Sequence, residues 1–430
     1  MAEASKGPLK VGLAGYGTVG SGLADVIEMN RDMIQRRTGR EVKLATVADL
    51  GEDKRPAIEA KGATFTTDFN DFLNDPEIDV AVELMGGTTI AKTFIIKALE
   101  AGKHVVTANK ALLAEHGNEL FALAREKGLH LGFEASVAGG IPVVQTLKET
   151  LAGNRMHSIM GILNGTANFI LTEMTETGME FNEALKMAQD KGYAEADPTL
   201  DIEGMDSAHK LVLLIQLAFG QYYPLDKLEV VGVTVVTPMD IEFAREMGYR
   251  IKLIAQAHLV DDKIEAGVIP ALIPESYLLA QVSGSFNAVR LYGNGGPIML
   301  YGYGAGDLPT GSAVLADIMN VARDLAPYNT GFVETALPNA VILDLDEAVS
   351  PHYLRFMVPD RPGVLRDIGG VMADHGISLK QVVQKGEDTG KGVPIVFLTH
   401  EATAGAVHAA MRAVDELGLT KDRTMHYRIL

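Results

Sequence analysis

The chain opens with short apolar runs set between longer stretches in which apolar residues recur at helical spacing. LKVGLAGYG reads as a buried strand that runs into a tight turn, and Thr18 to Met29 as a helix. EVKLATVADL, DVAVELMGG and HVVTANK read as further strands, with IIKALEAGK and LFALAREKG as helices between them. Gly102 and Gly128 stand where those helices should stop. Alternation of this kind predicts βαβ units and a parallel sheet.

The pattern changes after LHLGFEASVAGGIPVVQTLKETLAG. From Arg155 to Pro309 the strand-like runs lengthen and the turns carry more Gly and Pro: VVGVTVVTPMDI, YRIKLIAQAHLV, KIEAGVIPALI, NAVRLYGNGGPIMLYGYGAG. These predict a largely antiparallel sheet with helices on one face. PTGSAVLADIMNVARDL predicts a long amphipathic helix, and APYNTGFVETALPNAVILDLDEAVSP a linker. From His352 the pattern restarts as strand, helix, strand, strand, helix, strand, the ferredoxin-like order. The expected class is α/β.

Composition narrows the function. With 430 residues, 47% of them hydrophobic, the chain can bury the cores of more than one domain. A net charge of −18 argues against nucleic-acid binding, which needs basic patches. The absence of cysteine excludes disulfides, thiolate metal sites and cysteine nucleophiles. MAEASKGPLK has no apolar core of a signal peptide, and no stretch approaches the roughly 18 apolar residues of a membrane span. A soluble cytoplasmic protein without membrane or nucleic-acid partners is expected.

GYGTVG places Gly15, Gly17 and Gly20 in G-x-G-x-x-G spacing between a strand and a helix, the context of a dinucleotide-binding turn. Gly15 permits the turn, Gly17 the approach of a pyrophosphate, and Gly20 close helix–strand packing, with Thr18 and Val19 opening the helix. At the end of the second strand, Asp49 favours NAD, while Lys54 and Arg55 favour NADP; the residues leave both open.

In GYAEADPTLDIEGMDSAHKLVLLIQLAF, Asp206 and Lys210 are four apart and share a helix face just before an apolar run. A desolvated lysine held by an aspartate can move a proton, and Glu195, Asp197 and Asp201 lie upstream in a Pro-containing loop. Periodicity alone equally allows a surface ion pair and a solvated acidic loop. Asn164, Thr166 and Asn168 in LNGTANFIL read either as a polar cluster near the cleft or as a helix start capped by Thr166 or Asn168. In GYGAGDLPTGSAV, Thr310 or Ser312 is expected to cap the following helix, which packs back on the dinucleotide fold.

The chain resembles the homoserine dehydrogenases of the monofunctional bacterial type with a C-terminal ACT domain. GYAEADPTLDIEGMDSAHK resembles that family's signature, G-Y-x-E-x-D-P-x-x-D-x-x-G-x-D-x-x-x-K. TANKALLA, FEASVAGGIPVV, GILNGTANFIL and GAGDLPTGSAV also fit, and the likeness covers essentially the whole chain. It implies reversible NAD- or NADP-linked oxidation of L-homoserine to L-aspartate 4-semialdehyde. By this resemblance Lys210 is the general acid of the reductive direction and Asp206 positions the reacting group. Glu195 binds the substrate amino group, Asp201 helps hold the substrate, Lys110 sits between nicotinamide and substrate, and Gly306 approaches the cofactor.

FEASVAGG maps onto the family's monovalent cation site, sodium or potassium, with the Glu134 carboxylate and carbonyls of Val137, Gly139 and Ile141; the residues alone equally read as a hinge. VPDRPGVLRDIGGVM resembles the start of an ACT domain, and implies a threonine effector near Asp360, Gly363, Val364 and Ile377, or a module that only mediates assembly. The implied domains are 1–140 dinucleotide-binding (Rossmann), 141–308 catalytic and dimerisation, 309–335 returning helix, 336–351 linker and 352–430 ACT, in a homodimer or homotetramer. Two rivals stand beside this reading. One is another amino-acid-pathway dehydrogenase of the same layout. The other is an NAD(P)-binding sensor built on an amino-acid-binding ACT module; the Glu195–Lys210 segment argues against both.

Overall fold

The computed structural model describes residues 7–327, 329–334, 337–386, 390 and 392–430. Residues 1–6, read above as lacking a leader, and Tyr328, Thr335 and Ala336 of the expected linker region fall outside the described residues. The chain divides into two compact units: Met1–Gly165, Met205–Leu228 and Ser285–Ala340 form one, and Thr166–Gly204, Glu229–Gly284 and Val341–Leu430 the other. The segment 141–308 contributes to both.

In the first unit β1 (Leu9–Ala14), α1 (Thr18–Met29), β2 (Val42–Ala48), β3 (Thr64–Thr66), β4 (Val80–Glu83), β5 (His104–Thr107), α2 (Lys110–Glu126) and β6 (Leu131–Gly132) follow one another. The strands are all parallel, in the order β3-β2-β1-β4-β5-β6. Leu13, Val47, Val82 and Val106 are buried, as strands covered on both faces require. The order reverses between β1 and β4, the point at which open α/β sheets bind ligands. Gly102 and Gly128 follow their helices with φ of 77° and 68°, the left-handed step that stops a helix.

The same unit holds β7 (Met156–Ile162), α3 (Met205–Phe219), β8 (Phe286–Gly293), β9 (Gly296–Tyr303) and α4 (Asp307–Ala322). β7, β8 and β9 form antiparallel neighbours. Every residue of α3 from Asp206 to Leu217 is buried, so its apolar run is a core helix rather than a surface one. α4 returns to the dinucleotide sheet: Val314 and Ile318 join the core of Leu13 and Val47. α1 and α4 meet backbone to backbone, since a Cβ on Gly22 would lie 2.2 Å from the Asp307 carbonyl oxygen. The helix is capped neither by Thr310 nor by Ser312. It starts at Gly306, whose φ of 125° suits glycine, and both hydroxyl residues lie inside it.

In the second unit a long hairpin, Tyr249–Val260 with Lys263–Pro274, turns through Asp261 and Asp262. VVGVTVVTPMDI is not a strand. Only Glu229–Val230 pairs, and Pro238–Glu246 is a helix, because Thr237 caps it and Pro238 at its first position preorganises the turn. Thr166 and Asn168 are likewise not caps but lie within the helix Gly165–Thr177. Thr166 donates to the Tyr193 carbonyl and Asn168 to those of Val282 and Gly284.

The C-terminal module follows the expected ferredoxin-like order. His352–Val358 pairs antiparallel with Val393–Thr399 on one side and Met425–Ile429 on the other, and Leu379–Gln384 pairs with Val393–Thr399. Ile368, Met372, Val407 and Val414 of its two helices cover Phe356 and Phe397. Its last strand pairs in parallel with the hairpin, Ala271 opposite Arg428, which continues the sheet into the module. Val349–Ser350, read as linker, pairs with Ala402–Thr403. Among the described residues no helix is long and apolar enough to cross a membrane.

Candidate functional site

The glycine turn after β1 has the shape a dinucleotide needs. Gly15 has φ of 97°, and a Cβ there would lie 2.5 Å from the Leu84 carbonyl oxygen. A Cβ on Gly20 would sit 2.2 Å from the Gly15 oxygen, whereas one on Gly17 would meet nothing within 4 Å. Gly17 therefore leaves open the approach to the start of α1, which has no side-chain cap. The first N–H groups of that helix are free for an anion, so the turn fits a pyrophosphate. Thr18 opens α1 at the surface, and Val19 packs on the core.

The acid and the base that the sequence sets as alternatives are paired with each other. Asp49 accepts from the Tyr16 N–H at 2.7 Å, the Gly51 N–H at 2.8 Å and Lys54 Nζ at 2.9 Å. Burial opposes its charge, but these donors overcome that and hold its carboxyl below the usual range. Arg55 lies over the Phe65 ring at 4.4 Å and pairs with Glu52.

The loops at the carboxyl ends of β4 and β5 are organised by Glu83, a fully buried carboxylate that sequence reading missed because it looks like a strand residue. Its Oε1 accepts from the Met85 and Gly86 N–H groups, and its Oε2 from the Thr107 hydroxyl at 2.7 Å. Thr107 in turn accepts from the Asn109 N–H, and the Asn109 side chain caps α2 through the Leu112 N–H. Lys110 is thereby fixed as the first residue of α2.

Lys110 reaches across to α3, where Asp206 and Lys210 share a face. Lys210 Nζ donates to Asp206 Oδ2 at 2.7 Å and to the Leu163 carbonyl at 2.6 Å. Asn164 Nδ2 donates to the same Oδ2 at 2.9 Å, and Lys110 Nζ lies 3.0 Å from Asp206 Oδ1. Asp206 and Lys210 are buried, while Lys110 is 37% exposed. Burial would raise the Asp206 carboxyl; the two ammonium groups and the Asn164 amide more than reverse that and keep it strongly ionised. His209, beside them, is pushed down by burial. The cluster is thus a buried anion carrying two cations, a surface ion pair being excluded. The Leu163 carbonyl gives no sequence signal at all, and Asn164 only that of a polar residue after an apolar run.

Glu134 is 2% exposed, and its two oxygens accept from the Val144 N–H at 2.9 Å and the Gln145 N–H at 2.7 Å, at the start of a helical turn. Burial and the neighbouring Asp317 carboxyl raise it to about 8, and burial raises Asp317 to about 6. Val137, Gly139 and Ile141 belong to a tight loop in which Ala138 and Gly139 are both left-handed. The Ile141 carbonyl accepts from the Val143 N–H. A Cβ on Gly139 would lie 2.4 Å from Gly304, so this loop and the one before α4 touch through their backbones. Among the described residues no three or more His, Cys, Asp or Glu side chains gather to hold a metal, so a cation here would depend on main-chain carbonyls. Two buried carboxyls beside such a loop are compatible with a hard cation.

Glu195 is exposed in the loop before α3, whereas Asp201, expected in the same loop, is partly buried on the short helix Thr199–Ile202; both belong to the second unit. Asp360 is exposed, Gly363 has φ of 98° at the start of the helix Val364–Asp374, and Val364 and Ile377 belong to the core of the C-terminal module.

Three family models match the chain: homoserine dehydrogenase over residues 142–319, the homoserine dehydrogenase NAD-binding domain over 15–134, and the ACT domain over 352–418. A homoserine dehydrogenase of Neisseria gonorrhoeae is 45% identical over 418 residues, covering 95% of this chain and 96% of that one. One of Pseudomonas aeruginosa is 43% identical with the same coverage. The crystal structure of a homoserine dehydrogenase from Thiobacillus denitrificans superposes with a TM-score of 0.93 at 43% identity, covering 98% of each chain. A hyperthermophilic archaeal homoserine dehydrogenase in complex with NADPH matches 74% of this chain and 98% of its own at 26% identity, with a TM-score of 0.63.

Proposed function

The chain belongs to the homoserine dehydrogenase family and catalyses the nicotinamide-dependent interconversion of L-homoserine and L-aspartate 4-semialdehyde, and on that premise we propose how its residues divide the work. A bound nicotinamide cofactor supplies or removes the hydride. Gly15, Gly17, Thr18, Val19 and Gly20 hold the pyrophosphate at the start of α1, and Gly306 approaches the cofactor.

Lys210 gives a proton to the carbonyl oxygen of the semialdehyde in reduction and takes it back from the hydroxyl in oxidation. Asp206 orients Lys210 and Lys110 through its two oxygens. Lys110 adds positive charge beside the developing alkoxide. Glu195 binds the substrate ammonium, and Asp201 helps hold it. The bridge from Lys110 through Asp206 to Lys210 carries this reading, because it sets a proton donor in a buried site without stranding a charge. Its test is the appearance of reduced cofactor with purified protein, L-homoserine and NAD⁺ or NADP⁺. Glu195→Gln should raise the homoserine KM; an unchanged KM removes Glu195 from the substrate site.

The finer reading has four parts. Sodium or potassium binds at the Glu134 loop through that carboxylate and the carbonyls of Val137, Gly139 and Ile141; the two buried carboxyls support it. Threonine acts as a feedback effector at Asp360, Gly363, Val364 and Ile377, supported by the left-handed Gly363 at an uncapped helix start. The protein is a cytoplasmic homodimer or homotetramer, and the exposed Ile298, Tyr301 and Tyr303 on β9 support burial against a second copy. The divisions given above from the resemblance serve as its functional domains.

A further inference from the structure

The hairpin strand Tyr249–Val260 carries two cations, Arg250 and Lys252, at alternate positions and hence on one face. Lys252 is 5% exposed, and its ammonium meets neutral acceptors: Asn168 Oδ1 at 3.1 Å and the Val282 carbonyl at 2.6 Å. Among the described residues no carboxylate forms an ion pair with it. Burial and the Arg250 charge push it down to about 8, against the pull of Glu176. Arg250 donates through Nε to Glu275 Oε1 at 3.0 Å, which leaves the N–H groups of its two terminal nitrogens. Both cations line a cavity of about 120 Å³ within the second unit, between the helix Gly165–Thr177 and the turn Leu278–Gln281.

A buried ammonium without a counter-ion is costly, and a second cation on the same face adds to the cost. An anion in the cavity relieves both. The donors left for it are the third N–H of Lys252, the terminal N–H groups of Arg250, the Ser283 hydroxyl and one N–H of the Gln281 amide, which otherwise donates to the Glu275 carbonyl at 2.7 Å. Thr172 and Thr175 also line the cavity, but their hydroxyls donate to the Asn168 and Leu171 carbonyls of their own helix. Donors on several sides of a small volume suit a tetrahedral oxyanion better than a flat carboxylate. Glu176, exposed at the rim, repels a ligand whose negative charge extends outward. We propose that this cavity is a binding site for a free, compact tetrahedral oxyanion of the phosphate class, which acts as counter-ion to Lys252 and Arg250.

The anion ties together elements that already meet at this point. Lys252 reaches from the hairpin to Asn168 on the helix, and the Thr172 hydroxyl of that helix accepts from the Gly284 N–H at 3.1 Å. The same helix carries Thr166, which donates to the Tyr193 carbonyl. The occupied site therefore braces the helix against the hairpin, and its first effect is on stability, because a ligand held only by the folded chain shifts unfolding. None of this depends on the roles proposed for Glu195, Asp206 and Lys210.

Titration calorimetry on the full chain tests the site, with inorganic phosphate and with sulfate at constant ionic strength. The chain is first saturated with NAD⁺ or NADP⁺, so that the Gly15 turn is filled. Both oxyanions should bind saturably and raise the melting temperature, while acetate should do neither. Binding should weaken by about tenfold or more in Arg250→Gln and in Lys252→Met, and tighten in Glu176→Gln. Arg250 is half-buried, and Arg250→Gln should keep homoserine turnover, which shows that it folds; the test therefore stands even if Lys252→Met does not fold. Absence of saturable binding, equal affinity in Arg250→Gln, or an acetate effect as large as that of sulfate overturns the site. Binding confined to the cofactor-free chain places the oxyanion at the Gly15 turn and overturns it too. Glycerol 3-phosphate that binds as well as phosphate overturns the restriction to a free oxyanion.

Discussion

Lys110 and Lys210 are tied to opposite oxygens of one carboxylate: Asp206 Oδ1 lies 3.0 Å from the first and Oδ2 2.7 Å from the second. The lysines come from the start of α2 and the second turn of α3, so the bridge exists only once β5 and α3 have packed. A proton can leave Lys210 while Asp206 keeps a cationic partner in Lys110. Replacing Lys210 with methionine should therefore preserve the fold and cofactor affinity while kcat falls by about a hundredfold or more. Cofactor titration beside steady-state kinetics checks this, and near-normal turnover would remove Lys210 from proton transfer.

Asp206→Asn should act differently, because it leaves two cations facing each other in a buried site. We expect a stability loss on the order of 3 kcal/mol at neutral pH, read by denaturant unfolding. The folded carboxyl is held far below its unfolded value, so its contribution is present above the unfolded pKa and is lost only in strong acid. The difference between variant and parent should thus be flat from about pH 5 to 8. A difference that collapsed within that range would mean that some other group carries the effect.

Cofactor choice should respond to Lys54. Its ammonium occupies the Asp49 carboxylate, which would otherwise accept from a ribose hydroxyl, and the same ammonium would attract a 2′-phosphate. Lys54→Ala removes the cation and frees the acid. The ratio of kcat/KM with NADP⁺ to that with NAD⁺ should fall by about tenfold. An unmoved ratio would place the adenosine ribose away from the end of β2.

Much of this could be read from the sequence where local pattern and tertiary role agree. The period of α1, the strand LKVGLAGYG and the i,i+4 spacing of Asp206 and Lys210 all survive packing. The errors come from residues that compete locally. VVGVTVVTPMDI has the β-branched content of a strand, but Thr237 and Pro238 turn it into a helix start. Thr310 has the chemistry of a cap, yet Gly306 takes the position because the chain there adopts a left-handed angle. Glu83 and the Leu163 carbonyl could not be found at all: a strand residue and a main-chain oxygen become functional only through partners distant in sequence.

The histidines of the C-terminal module give it a built-in sensitivity to acid. His352 is fully buried, and its Nδ1 lies 2.9 Å from Nε2 of His426, which is half-buried. The proximity lets one ring donate to the other only while the pair is not doubly protonated. Burial lowers His352 to about 4 and lowers His426 as well, where charge on His352 and His408 would oppose protonation further. In the unfolded chain both would titrate near 6.5. Above that value neither state is protonated, and the module keeps its full stability. As the pH falls below it the unfolded chain takes up protons that the folded one refuses, so stability declines until the folded pKa is reached. A fall from 6.5 to about 4 corresponds to roughly 3 kcal/mol for His352 alone. His104 and His130 in the first unit are lowered by burial too and add a slope of their own, so the informative quantity is a comparison between variants. His426→Gln keeps an amide that can meet His352 and removes one titrating ring. Its stability should fall less steeply than the parent's between about pH 6.5 and 4, measured by urea unfolding at fixed temperature. Parallel slopes would show that the ring of His426 takes up its proton without loss of the native packing.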